Sequence, residues 1–282
     1  MSFDNIDHEW LLKFLRHRIA DKRILRLISK WLTAGVSEEG KWSRTTVGTP
    51  QGAVISPILA NVFLHYVFDL WAHQWRNRHA RGSVIIVRYA DDFVMGFQSR
   101  VDAERFLQEL HKRLEQFGLQ LHPEKTRLIE FGRFAAESRE RKGEGKPETF
   151  DFLGFTHCCG KTRKGWFTIK RKTIAKRMRA TLQKIKQQLR ARMHDPVIEV
   201  GRWLGAVVRG WFNYHAIPDN TKRLKAFHTE VQRLWRHVLR RRSQKGRRWA
   251  WERVRRLTRK WLPTPRVLHP YPDKRLVVSN LR

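Results

Sequence analysis

One stretch constrains the fold more than any other: two apolar runs, Val84-Ile85-Ile86-Val87 and Phe93-Val94-Met95-Gly96-Phe97, flanking Tyr89-Ala90-Asp91-Asp92. Each run is short and rich in β-branched or aromatic residues, which predicts two strands of a hairpin over about 83–98. A tight turn between them presents the adjacent carboxylates of Asp91 and Asp92 at the tip. Paired carboxylates on a rigid turn suit Mg²⁺, a hard cation that takes oxygen ligands. Two such ions about 3.5–4 Å apart can stabilise the attacking and leaving oxygens of a phosphoryl displacement. Asp is also a common turn residue, so a bare Asp-Asp pair would read as a solvated turn. An aromatic Tyr89 and a small Ala90 directly before the pair, between two apolar strands, favour a site.

The net charge of +33 over 282 residues is placed unevenly. Residues 161–282 hold 35 Lys+Arg and 6 Asp+Glu, a balance of +29, which leaves 24 and 20, or +4, for residues 1–160. A near-neutral half joined to a basic half predicts a polyanionic partner. Bases and aromatics interleave in the basic half, at Lys164-Gly165-Trp166-Phe167, Arg209-Gly210-Trp211-Phe212-Asn213-Tyr214-His215, Trp235-Arg236-His237 and Arg247-Arg248-Trp249-Ala250-Trp251. Arg and Lys meet phosphates, and aromatic faces stack on unpaired bases. The run Arg240, Arg241, Arg242, Lys245, Arg247 and Arg248 is the strongest RNA-contact candidate. Trp203, Trp211 and Trp235 are assigned to a helical core. No run approaches the roughly 20 apolar residues of a membrane-spanning helix, and no secretory signal is visible. Cys158 and Cys159 are adjacent, a strained spacing for a disulfide, and read as reduced thiols of a cytoplasmic protein.

Apolar spacing predicts helices over 8–17, 22–33, 56–78 and 102–117, with Ser56 as N-cap and Pro57 in the first turn. Strands are predicted over 42–47, 119–121 and 127–131, an exposed loop over 137–149, and a second hairpin over 150–156 and 166–170. Helices are predicted over 172–193, 197–214, 220–242 and 249–261. The fold class is α+β: an antiparallel sheet packed on helices over 1–170, then a basic helical region over 171–282.

The chain resembles the reverse transcriptases encoded by bacterial group II introns, the maturases. Tyr89-Ala90-Asp91-Asp92 looks like their central catalytic box. The segment Gly48-Thr49-Pro50-Gln51-Gly52 through Asn61 looks like the block that contacts template and nucleotide. Gly118 through Thr126 and Phe150-Asp151-Phe152-Leu153-Gly154-Phe155 resemble the next two blocks, in order, and Trp211-Phe212-Asn213-Tyr214 resembles the maturase-specific region. The resemblance implies a right-hand polymerase palm followed by an α-helical thumb and maturase region. It implies Asp91 and Asp92 as catalytic Mg²⁺ ligands, with Asp91 the direct ligand. It also implies Gln51, Gly52, Tyr89 and Lys125 at the template and incoming nucleotide, and Phe152, Leu153 and Gly154 as primer grip. The implied partners are intron RNA, an RNA template with its DNA primer, and deoxynucleoside triphosphates, with no membrane.

One departure matters. The family's first metal-binding Asp opens a block Asp-Ile-Lys-x-Phe-Phe-Asp-x-Ile, and only its tail is matched here, as Phe3-Asp4-Asn5-Ile6-Asp7-His8. The chain therefore reads as the C-terminal part of a reverse transcriptase, expected to synthesise poorly alone, and it leaves room for an N-terminal fragment acting in trans. The alternative is a non-catalytic RNA-binding remnant, or the product of a decayed intron gene. Asp4 and Asp7 are weaker surrogate ligands, expected at the cap of the first helix.

Overall fold

A computed structural model describes residues 6–33, 36–38, 41–43, 55–244, 246 and 249–271. Gln51, Gly52, Lys245, Arg247 and Arg248, together with Asp4 and most of the predicted 42–47 strand, lie outside the described residues. The chain divides into two compact units, Met1–Ile129 and Glu130–Arg282. This division groups the second sheet with the helices; the strand-to-helix change falls between Thr173 and Ala175, inside the second unit and a few residues past the predicted boundary at 170.

The first unit opens with α1 (His8–Arg16) and α2 (Lys22–Thr33). The Asp7 carboxylate caps α1, accepting from the backbone N–H of Glu9 at 2.8 Å and of Trp10 at 3.1 Å. Such a cap satisfies donors that the first helical turn leaves orphaned. A short β1–β2 ladder (Val36–Glu38, Lys41–Ser43) follows. The helix predicted over 56–78 is present but interrupted: α3 (Ser56–Leu64), a π-helical turn (His65–Asp69), then α4 (Leu70–His79). Pro57 sits in its first turn as expected, whereas Ser56 lies inside the helix and Ile55 takes the cap position without a side-chain bond. The hairpin β3 (Val84–Tyr89) and β4 (Asp92–Phe97) and the helix α5 (Arg100–Glu115) complete the unit. Its core is aliphatic and aromatic, with Leu11, Phe63, Val67, Phe68, Leu110 and Leu114 buried. The predicted strands 119–121 and 127–131 carry no ladder. Leu119 and Leu121 are buried, so their alternation reflects packing, and a strand needs a pairing partner as well.

The second unit holds α6 (Ala135–Arg141), where a loop was expected, and a three-stranded antiparallel sheet, β5 (Phe150–Phe152), β6 (Phe155–Lys161) and β7 (Phe167–Thr173). Cys158 and Cys159 are free thiols in β6. The sheet runs into α7 (Ala175–Ala191), α8 (Val197–His215), α9 (Thr221–Arg241) and α10 (Trp251–Trp261). Trp211 and Trp235 are buried in the helical core, and Trp203 packs at its edge with the Arg192 guanidinium 5.1 Å from its ring centroid. The buried Asn220 ties sheet to helices, accepting from Thr173 N at 3.0 Å and donating to Thr173 Oγ1 at 2.7 Å and His215 O at 2.8 Å.

Helix α8 receives α10 on two glycines one turn apart. A Cβ on Gly201 would sit 2.8 Å from the Trp261 ring, and one on Gly205 would sit 2.5 Å from the Trp261 carbonyl oxygen. Gly210, in the same helix, meets nothing within 4 Å. Gly205→Ala is therefore expected to destabilise the helical unit by about 1–3 kcal/mol, because a backbone carbonyl must retreat. Gly210→Ala should instead stabilise it by up to about 1 kcal/mol through helix propensity. Denaturant unfolding of the two variants checks the opposite signs.

Candidate functional site

The β3–β4 register pairs Val84 with Phe97, Ile86 with Met95, Arg88 with Phe93, and Tyr89 with Asp92. Alternation along a strand then sorts the hairpin into two faces. Ile86, Phe93, Met95 and Phe97 pack on the core, and Phe93 meets Phe68 of the π turn with ring centroids 4.7 Å apart. Ile85, Val87 and Tyr89 are exposed on the other face, Tyr89 at 65%. Asp92 is the cross-strand partner of Tyr89, so the terminal pair of the ladder shows an aromatic ring and a carboxylate on the exposed face. Ala90 and Asp91 form the two-residue turn between the strands. Ala90 carries a positive φ of 53°, a conformation that costs a residue with a Cβ about 1 kcal/mol or more. Asp91 is half-buried beside it.

Arg88 holds this turn. On β3 the inward register runs Val84, Ile86, Arg88, so a guanidinium takes the third core-facing place. Its Nη1 donates to the Ala90 carbonyl at 2.8 Å and to Asn61 Oδ1 at 2.8 Å. Its Nε and Nη2 donate to the two Asp69 oxygens at 2.7 and 2.6 Å, a bidentate pair. Asn61 is oriented in turn by its own donation to Pro57 O at 2.9 Å. Asp69 is the last residue of the π turn, which places its carboxylate beneath the hairpin. π turns inside α-helices are found frequently at functional sites. Sequence reading missed Arg88, Asp69 and the bulge. The available signal was an arginine in the inward register of an otherwise apolar strand.

The other residues singled out in the sequence fall in separate places. Lys125 is exposed in the turn after Leu121, its N–H donating to His122 O at 3.2 Å. In the second unit, Leu153 and Gly154 form the two-residue turn of the β5–β6 hairpin, both at positive φ, 46° and 81°. That matches the hairpin turn whose twist suits its flanking strands. Tyr214 of α8 secures it: its hydroxyl donates to Leu153 O at 2.7 Å, and its ring stacks on Phe155 at 5.6 Å. The Ile174 N–H donates to Gly154 O at 3.1 Å. The segment read as maturase-like thus supports the segment read as primer grip. His157 stacks on Phe150 at 4.8 Å, and burial holds its pKa below the usual histidine value, as it does for His215 and His228.

Arg240 and Arg241 are exposed at the end of α9. Arg242 is half-buried and donates to His194 O at 3.0 Å, so it also closes the end of the bundle. Trp249 and Trp251 carry the guanidinium groups of Arg253 and Arg236 over their rings, at 4.4 and 4.6 Å. Among the described residues no three His, Cys, Asp or Glu side chains gather into a metal-binding group, and no helix is long and apolar enough to cross a membrane.

Comparison with known proteins agrees with this arrangement. The reverse transcriptase (RNA-dependent DNA polymerase) family matches residues 1–157, and the group II intron maturase-specific domain matches residues 175–261. The chain is 32% identical to Protein YkfC of Escherichia coli (strain K12) over 179 residues, covering 50% of this chain and 46% of that protein. It is 46% identical over 63 residues to the Group II intron-encoded protein LtrA of Lactococcus lactis subsp. cremoris, covering 22% and 10%. It is 26% identical over 301 residues to a COX1/OXI3 intron 1 protein of Saccharomyces cerevisiae, covering 79% and 34%. It spans less than half the length of these relatives. The fold is that of a polymerase palm with a helical maturase domain, α+β as the sequence predicts. The chain belongs to the reverse transcriptase (RNA-dependent DNA polymerase) family, and its basic half matches the maturase-specific domain of group II introns.

Proposed function

We propose that this chain carries the carboxylate hairpin of an RNA-directed DNA polymerase and binds intron RNA through its basic helical half. The observation that carries the reading is the Tyr89-to-Asp92 hairpin, buttressed by Arg88, inside the segment that matches the reverse transcriptase family. The donor set fits a divalent cation in kind: two adjacent carboxylates at an exposed tip, hard oxygen ligands of the sort Mg²⁺ takes. When bound there, Mg²⁺ neutralises developing charge on transferring phosphoryl oxygens. The protein's own part is positional. Arg88 fixes the Ala90 carbonyl, and the turn in its strained conformation sets where Asp91 and Asp92 stand. Tyr89, exposed on the same face as Asp92, offers a ring and a hydroxyl to a nucleotide or template strand. Two carboxylates are fewer than a two-metal site uses, so the reading calls for a further ligand. Asp7 does not supply it, because its carboxylate is engaged at the α1 cap. An upstream segment carrying the Asp-Ile-Lys block, in the same polypeptide or in trans, fits that role.

For the basic half, the partner is intron RNA, bound mainly through phosphates. Residues 161–282 carry +29, and releasing condensed counterions dominates such binding. Replacing Arg240, Arg241, Arg242, Arg247 and Arg248 by Gln should flatten the salt dependence, by up to about one unit of log–log slope for each phosphate no longer neutralised. The test is RNA binding by the whole chain over a salt series, with structured intron RNA and duplex DNA as competitors. Intron RNA should compete better, because unpaired bases and RNA shape add to charge. Equal competition at physiological salt would reduce the basic half to a generic polyanion surface.

A further inference from the structure

The tip of the β6–β7 hairpin is built unlike the rest of the surface. Lys161 pairs with Phe167 at the end of the ladder, and the Thr162 N–H donates to Trp166 O at 2.8 Å. The Gly165 N–H then donates to Thr162 O at 3.1 Å, and Gly165 takes a φ of 83°. A three-residue connection of this kind, a β-turn closed by a left-handed glycine, is one of the favoured hairpin loops. The loop is therefore a defined platform. Its most conspicuous occupant is Trp166, 72% exposed, the highest value among the exposed large apolar side chains described.

Trp166 has no aromatic or cation–π partner among the described residues. Trp211 and Trp235 of this unit are buried, Trp203 and Trp249 pack on the helical core, and Trp251, exposed at its edge, carries the Arg236 guanidinium over its ring. The chemistry around Trp166 has one sign. Residues 161–172 contain Lys161, Arg163, Lys164, Lys170, Arg171 and Lys172 and no acid. Lys161, Arg163 and Lys164 are exposed with the tryptophan, and none is in an ion pair among the described residues. A surface evolved to seat another protein's apolar patch would not need this density of unpaired cation around one ring. A nucleic-acid strand needs both parts, because bases stack on aromatic faces while the backbone is drawn to positive charge.

We propose that the 161–167 hairpin tip is a single-stranded RNA site, where Trp166 stacks on an unpaired base and Lys161, Arg163 and Lys164 meet the flanking phosphates. It is separate in sequence from the Arg240–Arg248 cluster and rests on the reading that this chain binds RNA. Fully paired RNA offers no free base face, so the tryptophan should contribute to unpaired RNA alone.

The experiment measures affinity of the full chain for two fluorescently labelled RNAs, an unpaired pyrimidine-rich strand and a blunt, fully paired duplex, over a salt series. Trp166→Ala should weaken binding to the unpaired strand by about tenfold, leave the paired duplex unaffected, and keep the salt slope. Trp166→Phe should retain most of the affinity, since a ring remains. The triple change Lys161→Gln, Arg163→Gln and Lys164→Gln should lower the salt slope on the unpaired strand by up to about two units. Equal affinity of Trp166→Ala and the parent for unpaired RNA, or an equal loss on both RNAs, overturns the site while leaving RNA binding by the chain intact. Failure of the parent chain to bind either RNA overturns the RNA reading itself. Circular dichroism melts of Trp166→Ala should match the parent, because the side chain is 72% exposed and outside the buried core.

Discussion

An Arg88→Met variant is expected to lose about 2 kcal/mol of stability in the 6–129 unit and to release the turn that carries Asp91. Four hydrogen bonds converge on this guanidinium, to both Asp69 oxygens, Asn61 Oδ1 and the Ala90 carbonyl. The side chain of Arg88 is 14% exposed and that of Asp69 31%, so the pair is shielded more than a surface ion pair and less than a core one. Methionine fills much of the same volume but donates nothing. Among the described residues it leaves Asp69 with the His65 Nδ1 contact at 3.5 Å alone, and the Ala90 carbonyl without its side-chain donor. The coupling is testable by a double-mutant cycle with Asp69→Leu. Because each single change strands the other partner, the double variant should lose at least about 1 kcal/mol less than the sum of the two. Additive losses would show that the pair is not a unit. Hydrogen exchange should locate the effect: faster exchange of amides in 84–97 under Arg88→Met, with α1 and α2 unchanged.

The geometry also explains why Ala90 tolerates a positive φ. Its carbonyl is held by Arg88 at 2.8 Å, and an interaction of that kind offsets a local cost of the same order. Folding of the α3–π–α4 helix brings Asn61 and Asp69 to Arg88, so the packing of one element sets the geometry of the carboxylate turn in another.

Much of this was legible in the residues. The hairpin is visible because its apolar strands are continuous and its turn is short. The helices of the basic half are visible because their apolar faces recur at helical spacing and end near Pro196 and Pro218. The π turn was not visible, because one extra residue in a helical turn leaves the apolar pattern from Leu59 to Trp75 nearly unchanged. α6 was read as loop because Glu137, Ser138, Arg139, Glu140 and Arg141 are all polar, and a helix without an apolar stripe gives no periodic signal. Leu153 at positive φ could not be foreseen from leucine itself, and only the following glycine hinted at the turn. The role of Tyr214 was hidden by distance, since it lies 61 residues from the carbonyl it holds. The hydrogen-bonded frame of the carboxylates was hidden for the same reason: Arg88, Asp69 and Asn61 mean nothing together until the fold brings them to one point.

Asp91 and Asp92 are proposed as the metal-binding end of this hairpin. Primer extension on an RNA template with Mg²⁺ tests this most directly, using the chain alone and the chain joined to an upstream segment that carries the Asp-Ile-Lys block. The chain alone should show no processive synthesis, and the joined protein should extend. In the joined protein, Asp91→Asn should reduce extension by about a thousandfold or more, since it removes the charge of the proposed metal ligand while keeping its shape. RNA affinity should stay within about twofold, because the proposed phosphate contacts lie on the basic half. Undiminished extension by Asp91→Asn, or a parallel collapse of RNA binding, would contradict the account and make Asp91 a structural turn residue.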